Sequence, residues 1–398
     1  MNTILKKINE LAERYSGYTA ANLSEFVRVQ SMSAKEKLVA EVLMQQMRSA
    51  GFDEVRHDNL GNVIGRIGSG GRILVFDGHI DTVDVGNINN WESDPFSGEI
   101  SGGYVYGRGS VDQKGGPAAF VTAGRILKEL AFDRGLTIYF TGTVMEEDCD
   151  GLCWKYLIEE EKIQPDFVVI TEPTNLNLYR GQRGRMELEV TFRGLSAHGS
   201  APERGNNAIY MASRACLEIE KLNERLKSDD FLGKGSVTVS EFVSGSPSLC
   251  AVADYARIHL DRRLTWGETK ESALSEIHEI VKGMDAVIEL LHYEETAYTG
   301  LRYGMEKYFP TWKIGEDHPL VDIAQKTFTD LFHKKPVIDK WTFSTNGVTI
   351  NGLYNIPCIG FGPGNEVLAH APNEKVPVSD LVAASAFYAA LAYYISEE

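Results

Sequence analysis

The hydropathy period of the chain changes near residue 183 and changes back near residue 297. Before the change, strand-like runs are almost continuously apolar: Asn62 to Ile67, Arg72 to Phe76, Leu136 to Thr141 and Phe167 to Ile170. Helical patterns stand between or before them, at Ser33 to Gly51, Gly116 to Leu130 and Gly151 to Glu161. Apolar strands alternating with helices predict an α/β body with a mostly parallel sheet, both faces covered. From Arg185 to Arg193 the residues instead alternate apolar and polar, the pattern of a strand with one wet face. The helix Asn206 to Leu226, strands at Val237 to Val243 and Ala253 to Leu264, the helix Glu268 to Lys282 and the strand Val287 to Leu291 complete the order β, α, β, β, α, β. That order is the ferredoxin-like split-βαβ arrangement. The α/β pattern resumes with Pro319 to Phe332, Cys358 to Phe361 and Ser379 to Tyr394. The expectation is a body built from residues 1–182 and 297–398, interrupted by an inserted α+β domain at 183–296. A cleft between two such bodies is where ligands collect.

Composition narrows the partners. A net charge of −16 argues against binding the phosphates of nucleic acid, which needs a concentrated basic face. The N-terminal stretch MNTILKKINELAERY carries charges throughout, so no signal peptide is expected. No apolar run is read as approaching the roughly 18 residues that span a bilayer, and no membrane partner is expected. The five cysteines are odd in number and mostly far apart, which suits a reducing cytoplasm better than a disulfide framework. Cys149 and Cys153 lack the C-x-x-C spacing and are read as ordinary thiols.

The chemistry concentrates at strand ends. His79 and Asp81 follow an apolar strand and project from one face, so Asp81 can hold the His79 imidazole in one tautomer, as behind a metal-bound histidine. Asp112 lies in the glycine-rich turn Gly107 to Gly116, which matches neither phosphate-binding spacing and better suits a carboxylate bridging two cations. Glu172 ends another apolar strand. Four acids, Glu146, Glu147, Asp148 and Asp150, crowd the end of a further strand. Adjacent Glu146 and Glu147 point to opposite sides of an extended chain. Asp148 and Asp150 read as solvated loop acids.

The segments His79-Ile-Asp81, Tyr106 to Gly115, Glu146-Glu147 and Ala369-His370-Ala-Pro-Asn-Glu374 resemble, in order and across essentially the whole chain, the motifs of the co-catalytic zinc hydrolases. That family includes acetylornithine deacetylase, succinyl-diaminopimelate desuccinylase, aminoacylase-1 and the glutamate carboxypeptidases. The resemblance implies a zinc-peptidase-like catalytic domain with an inserted ferredoxin-like lid and dimerisation domain. It implies two Zn²⁺ per chain, with Co²⁺ or Mn²⁺ as substitutes. One zinc would be held by His79 and Glu172, the other by Glu147 and His370, with Asp112 bridging. Glu146, left without a metal, would be the general base. In dimeric relatives a histidine matching His198 reaches the partner's active site and donates to the substrate carbonyl, so the resemblance implies a catalytic and substrate-binding role for His198. Arg263, in the Asp261-Arg-Arg263 segment, would bind a substrate carboxylate, with Arg262 facing away. Asn207 is a weaker substrate-binding candidate that can equally cap the following helix.

Two features depart from the pattern. Asn346, in Thr342 to Gly347, stands where many relatives have an acid, and Tyr298 to Trp312 is unusually aromatic. These departures leave the substrate open; the leading expectation, from the resemblance, is a deacylase of an N-acyl amino acid or related small carboxylate-bearing amide, with a dipeptidase or exopeptidase as the alternative. The expected assembly is a homodimer through residues 183–296. A metal-dependent binding protein without turnover is the reading from another class, and the retention of Glu146 weighs against it.

Overall fold

The computed structural model describes residues 3–132 and 134–397. Its larger sheet has nine strands. Eight lie in the order Glu54–His57, Val63–Gly68, Leu136–Thr143, Arg72–His79, Phe167–Ile170, Cys358–Gly360, Leu178–Gln182 and Trp312–Lys313, and Ile338–Trp341 pairs with Leu178–Gln182. The four central strands, Leu136–Thr143 to Cys358–Gly360, are mutually parallel. They are the runs that are apolar without interruption, because both of their faces are buried. On either side the pairing turns antiparallel, so the expected mostly parallel sheet is a mixed one. The link from His57 to Val63 is too short for a crossover and must make a hairpin. The flanking strands at 178–182 and 312–313 are too short to show a period.

Helices pack on this sheet and on one another. Leu5, Ile8 and Ala12 form a buried stripe at helical spacing on Thr3–Arg14, which packs against the last helix, Val378–Ile395. That last helix corrects one expectation. By length and composition it could cross a membrane, yet 72% of its 18 residues are buried inside the fold, against Gly115–Glu129 and Pro319–Phe332. It is apolar all round because it is a central core helix. The helix expected from Ser33 begins at Lys37, and the Ser33 hydroxyl instead donates to Asp81 Oδ2 at 2.7 Å.

The second sheet runs Ser236–Gly245, Tyr255–Leu264, Gly184–Arg193, Ala286–Leu290, all antiparallel. In chain order these are its second, third, first and fourth strands, the ferredoxin-like order. The helices Ala208–Arg225 and Lys270–Ile280 help to build its own hydrophobic cluster, with Met186, Leu188, Val190 and Phe192 from the long first strand. The alternate residues of that strand, Arg185, Glu187 and Glu189, pair in register with Arg263, Asp261 and His259, a polar face that helps wall the cleft. Tyr308–Phe309 then pairs with Gly184–Arg193 before the chain rejoins the larger sheet at Trp312.

Candidate metal centre

Parallel strands end together, so whatever follows them converges. His79 is the last residue of its strand, Glu172 comes two residues after Phe167–Ile170, and Glu146 and Glu147 follow Leu136–Thr143. To these the turn before helix Gly115–Glu129 adds Asp112, and the loop after Leu368 adds His370.

Asp112 sits between two histidines. Its Oδ1 lies 3.0 Å from His79 Nε2 and its Oδ2 3.2 Å from His370 Nε2. Glu172 Oε1 is 3.5 Å from His79 Nε2, and Glu147 Oε2 is 3.0 Å from His370 Nε2. The result is two sets of ligand atoms, His79 with Asp112 and Glu172, and Asp112 with Glu147 and His370, each within a span of 4.8 Å. Asp112 belongs to both. Glu146 belongs to neither, although its Oε2 lies 3.8 Å from His79 Nε2.

Supporting contacts fix this geometry. His79 Nδ1 lies 3.0 Å from the main-chain oxygen of Asp81 and 3.5 Å from its Oδ1. The carbonyl is the nearer partner, so Asp81 orients the imidazole chiefly through its backbone. A proton on Nδ1 leaves the Nε2 lone pair facing the carboxylates, as a ligand requires. The Asp81 side chain accepts from the Glu147 backbone N–H at 3.1 Å, tying the two clusters together. Glu374, not singled out from sequence, accepts from the backbone N–H groups of Gly109, Val111 and Asp112 and from Arg108 Nη1 at 2.7–3.0 Å. Arg108 also approaches the carbonyls of His370 and Ala371. One buried ion pair thus joins the Asp112 turn to the His370 loop. The sequence signal for it is an arginine inside the glycine-rich turn and an acid four residues past His370.

The electrostatics describe a cluster that demands positive charge. Burial, then the nearby Asp112, pushes Glu147 up to about 7 and Glu172 up to about 8. Burial holds Glu146 well above the usual carboxylate range, and Asp150, Glu172 and Glu147 add to the effect. Burial opposes charge on His79, but Glu172 and Glu146 outweigh it and raise its pKa well above the ordinary value. Hydrogen bonds to Asp112 and Glu147 take His370 to about 10. Buried Asp112 is nonetheless lowered, by its hydrogen bonds to the two histidines. Glu172 Oε2, Glu146 Oε1 and Asp81 Oδ1 are buried with no hydrogen-bond partner among the described residues. Imidazole nitrogens and carboxylate oxygens with spare lone pairs fit a pair of divalent cations such as Zn²⁺.

The cluster floors a cleft of about 340 Å³, also lined by Asp150, Arg185, Arg263, Phe343, Ser344 and Glu366. Arg263 is one of the two arginines lining the cleft. Arg262 is buried in ion pairs with Glu268 at 2.6 Å and Glu276 at 3.3 Å. His198 and Asn207 do not line the cleft. His198 is exposed, with Nδ1 2.7 Å from Ser200 Oγ, and Asn207 caps helix Ala208–Arg225 by accepting from Ile209 N–H. Asn346 lies beneath the site, donating to Asp77 Oδ2 at 2.9 Å and accepting from Gly151 N–H at 2.9 Å. Asp148 is exposed, but Asp150 is not the solvated acid expected. It is 4% exposed and faces Arg185, because the second sheet covers this end of the loop.

A model of peptidase family M20/M25/M40 matches residues 75–394. The chain is 50% identical to the uncharacterized protein YgeY of Escherichia coli strain K12 over 392 residues, 98% of this chain and 97% of that one. It is 26% identical to the succinyl-diaminopimelate desuccinylase of Magnetococcus marinus, covering 89% of this chain and 92% of the relative. The crystal structure of the YXEP protein of Bacillus subtilis, described as a dinuclear metal-binding peptidase, matches with a TM-score of 0.72 at 12% identity, over 97% of this chain and 99% of that one.

Proposed function

The chain belongs to peptidase family M20/M25/M40, hydrolases of amide or peptide bonds, and from that premise we propose that it is a two-zinc deacylase of N-acyl amino acids. The observation that carries the proposal is Asp112, whose two oxygens face the two histidines of separate ligand sets, with an uncommitted Glu146 beside them. His79 and Glu172 would hold one zinc, Glu147 and His370 the other, and Asp112 both. When bound, the ions would supply Lewis acidity to the scissile carbonyl and acidify water.

The chain's own residues do the rest. Glu146 has a free buried oxygen, Oε1, to take a proton from the attacking water, and carries that proton to the departing amine. Arg263 is held rigid by Asp261 and presents its guanidinium to the substrate carboxylate. Residues 183–296 would act as lid and dimerisation domain, through which His198 serves the partner's cleft. Asn207 is assigned to its helix cap alone. The five free cysteines suit a reducing cytoplasm.

Zinc-loaded protein assayed in parallel on acetylated amino acids and on dipeptides tests the proposal. Release of free amino acid from the acetylated series is expected. Cleavage confined to dipeptides would make the chain a dipeptidase with the same centre.

A further inference from the structure

Strand pairing places Arg185 directly opposite Arg263, so both side chains leave the same face of the second sheet, and both line the cleft. The two are finished differently. Arg263 Nε and Nη2 meet both oxygens of Asp261, at 2.8 and 2.9 Å, which leaves Nη1 for a ligand. The Arg185 guanidinium packs over Phe309, 4.7 Å from the ring centre. Its Nη2 is 3.4 Å from Asp150 Oδ2 and 3.5 Å from Glu187 Oε1, too long for good hydrogen bonds. Arg185 Nε and Asp150 Oδ2 are both buried without a hydrogen-bond partner among the described residues. A guanidinium donor left unmet beside a cavity is one that an accepting ligand completes, while Asp150 Oδ2 stays the counter-charge behind it.

We infer that Arg185 is a second substrate-binding residue, closing with Arg263 on the carboxylate of the acylated amino acid. The inference rests on the deacylase reading above. Charge decides how many acidic groups the site accepts. Away from the metal ligands, Arg185, Arg263 and Lys307 stand against Asp150, Glu187 and Asp261, with Lys307 Nζ drawn to Glu187 Oε2 at 3.1 Å. With Glu366 also lining the cleft and Glu146 beside the metal ligands, the acids outnumber the three cations, so a carboxylate can be drawn only by the free edges of the two guanidinium groups and a second has nothing to pair with. The substrate class is a monocarboxylate amide, not a dicarboxylate.

The test uses full-length zinc-loaded protein, the acetylated amino acid cleaved fastest, and the same compound with its carboxylate replaced by a carboxamide. Wild type is expected to prefer the acid. Arg185→Gln should raise KM for the acid about tenfold or more, the loss of a hydrogen bond to a charged group, with little change in kcat and none for the carboxamide. Arg185→Lys should restore part of the preference. An equal fall in kcat for both substrates, with the preference intact in both variants, would show a structural tether and overturn the inference. If wild type cleaves no amide, the deacylase reading fails separately. Calorimetric binding of N-acetyl-L-alanine and its carboxamide to wild type and Arg185→Lys then decides the same question, selective weakening of the acid supporting it and equal weakening overturning it.

Discussion

Replacing Glu374 with Gln should damage the centre although Glu374 belongs to neither ligand set. Its Oε1 accepts from Val111 N–H at 2.7 Å and Asp112 N–H at 3.0 Å, and its Oε2 from Arg108 Nη1 at 2.7 Å and Gly109 N–H at 3.0 Å. Each oxygen thus has two donors, so whichever way a Gln amide is turned, its NH₂ faces two N–H groups. Two buried donors lose their acceptor at about 1–3 kcal/mol each, and buried Arg108 loses its counter-charge. Breaking a buried pair from one side costs about 3–5 kcal/mol, and the two routes agree in size. Asp112, hung from the same carboxylate, should lose its fixed position, and bound zinc should fall below that of wild type. Urea unfolding and metal analysis measure both, with exposed Glu279→Gln as the control. A Glu374→Gln protein of unchanged stability and full zinc content would refute the reasoning.

Other consequences follow from the same contacts. In metal-free protein Glu147 and Glu172 have folded pKa values raised to about 7 and about 8, and His370 to about 10, so the stability these groups contribute is present at low pH and lost as pH rises through those values. Zinc replaces those protons, so the rise in melting temperature on adding zinc should be larger near pH 8 than near pH 6, and an equal or smaller rise at the higher pH would contradict the assignment. Asn346→Asp removes the donor to Asp77 and sets two buried acids together, which should cost about 1–3 kcal/mol in urea unfolding. A wild-type midpoint would contradict that geometry.

What could be read from the sequence had a local cause. Apolar runs announced the buried parallel strands, and acids or histidines just past their ends marked where a centre would form, since a charged residue there interrupts a core pattern. What escaped was set by long-range packing. Asp150 looks like its exposed neighbour Asp148, and only the arrival of Arg185 from the second sheet buries it. Glu374 and Arg108 are 266 positions apart, and no local pattern pairs them. The last helix reads from sequence only as one more helix of the α/β pattern, because its apolar surface is assembled largely from small residues, among them Ala384, Ala386, Ala389 and Ala390. Asn346 stood out as a substituted acid, but its place beneath the site shows only once the strands are assembled.

The most direct test of the central claim compares wild type with Glu146→Gln. Each is measured for zinc per chain and for turnover of the preferred amide. The account predicts about two zinc ions in both, because Glu146 lies outside both ligand sets, and a loss of about 10²–10⁴ in kcat for the variant, the range of a missing general base. Full zinc with unchanged turnover would contradict it.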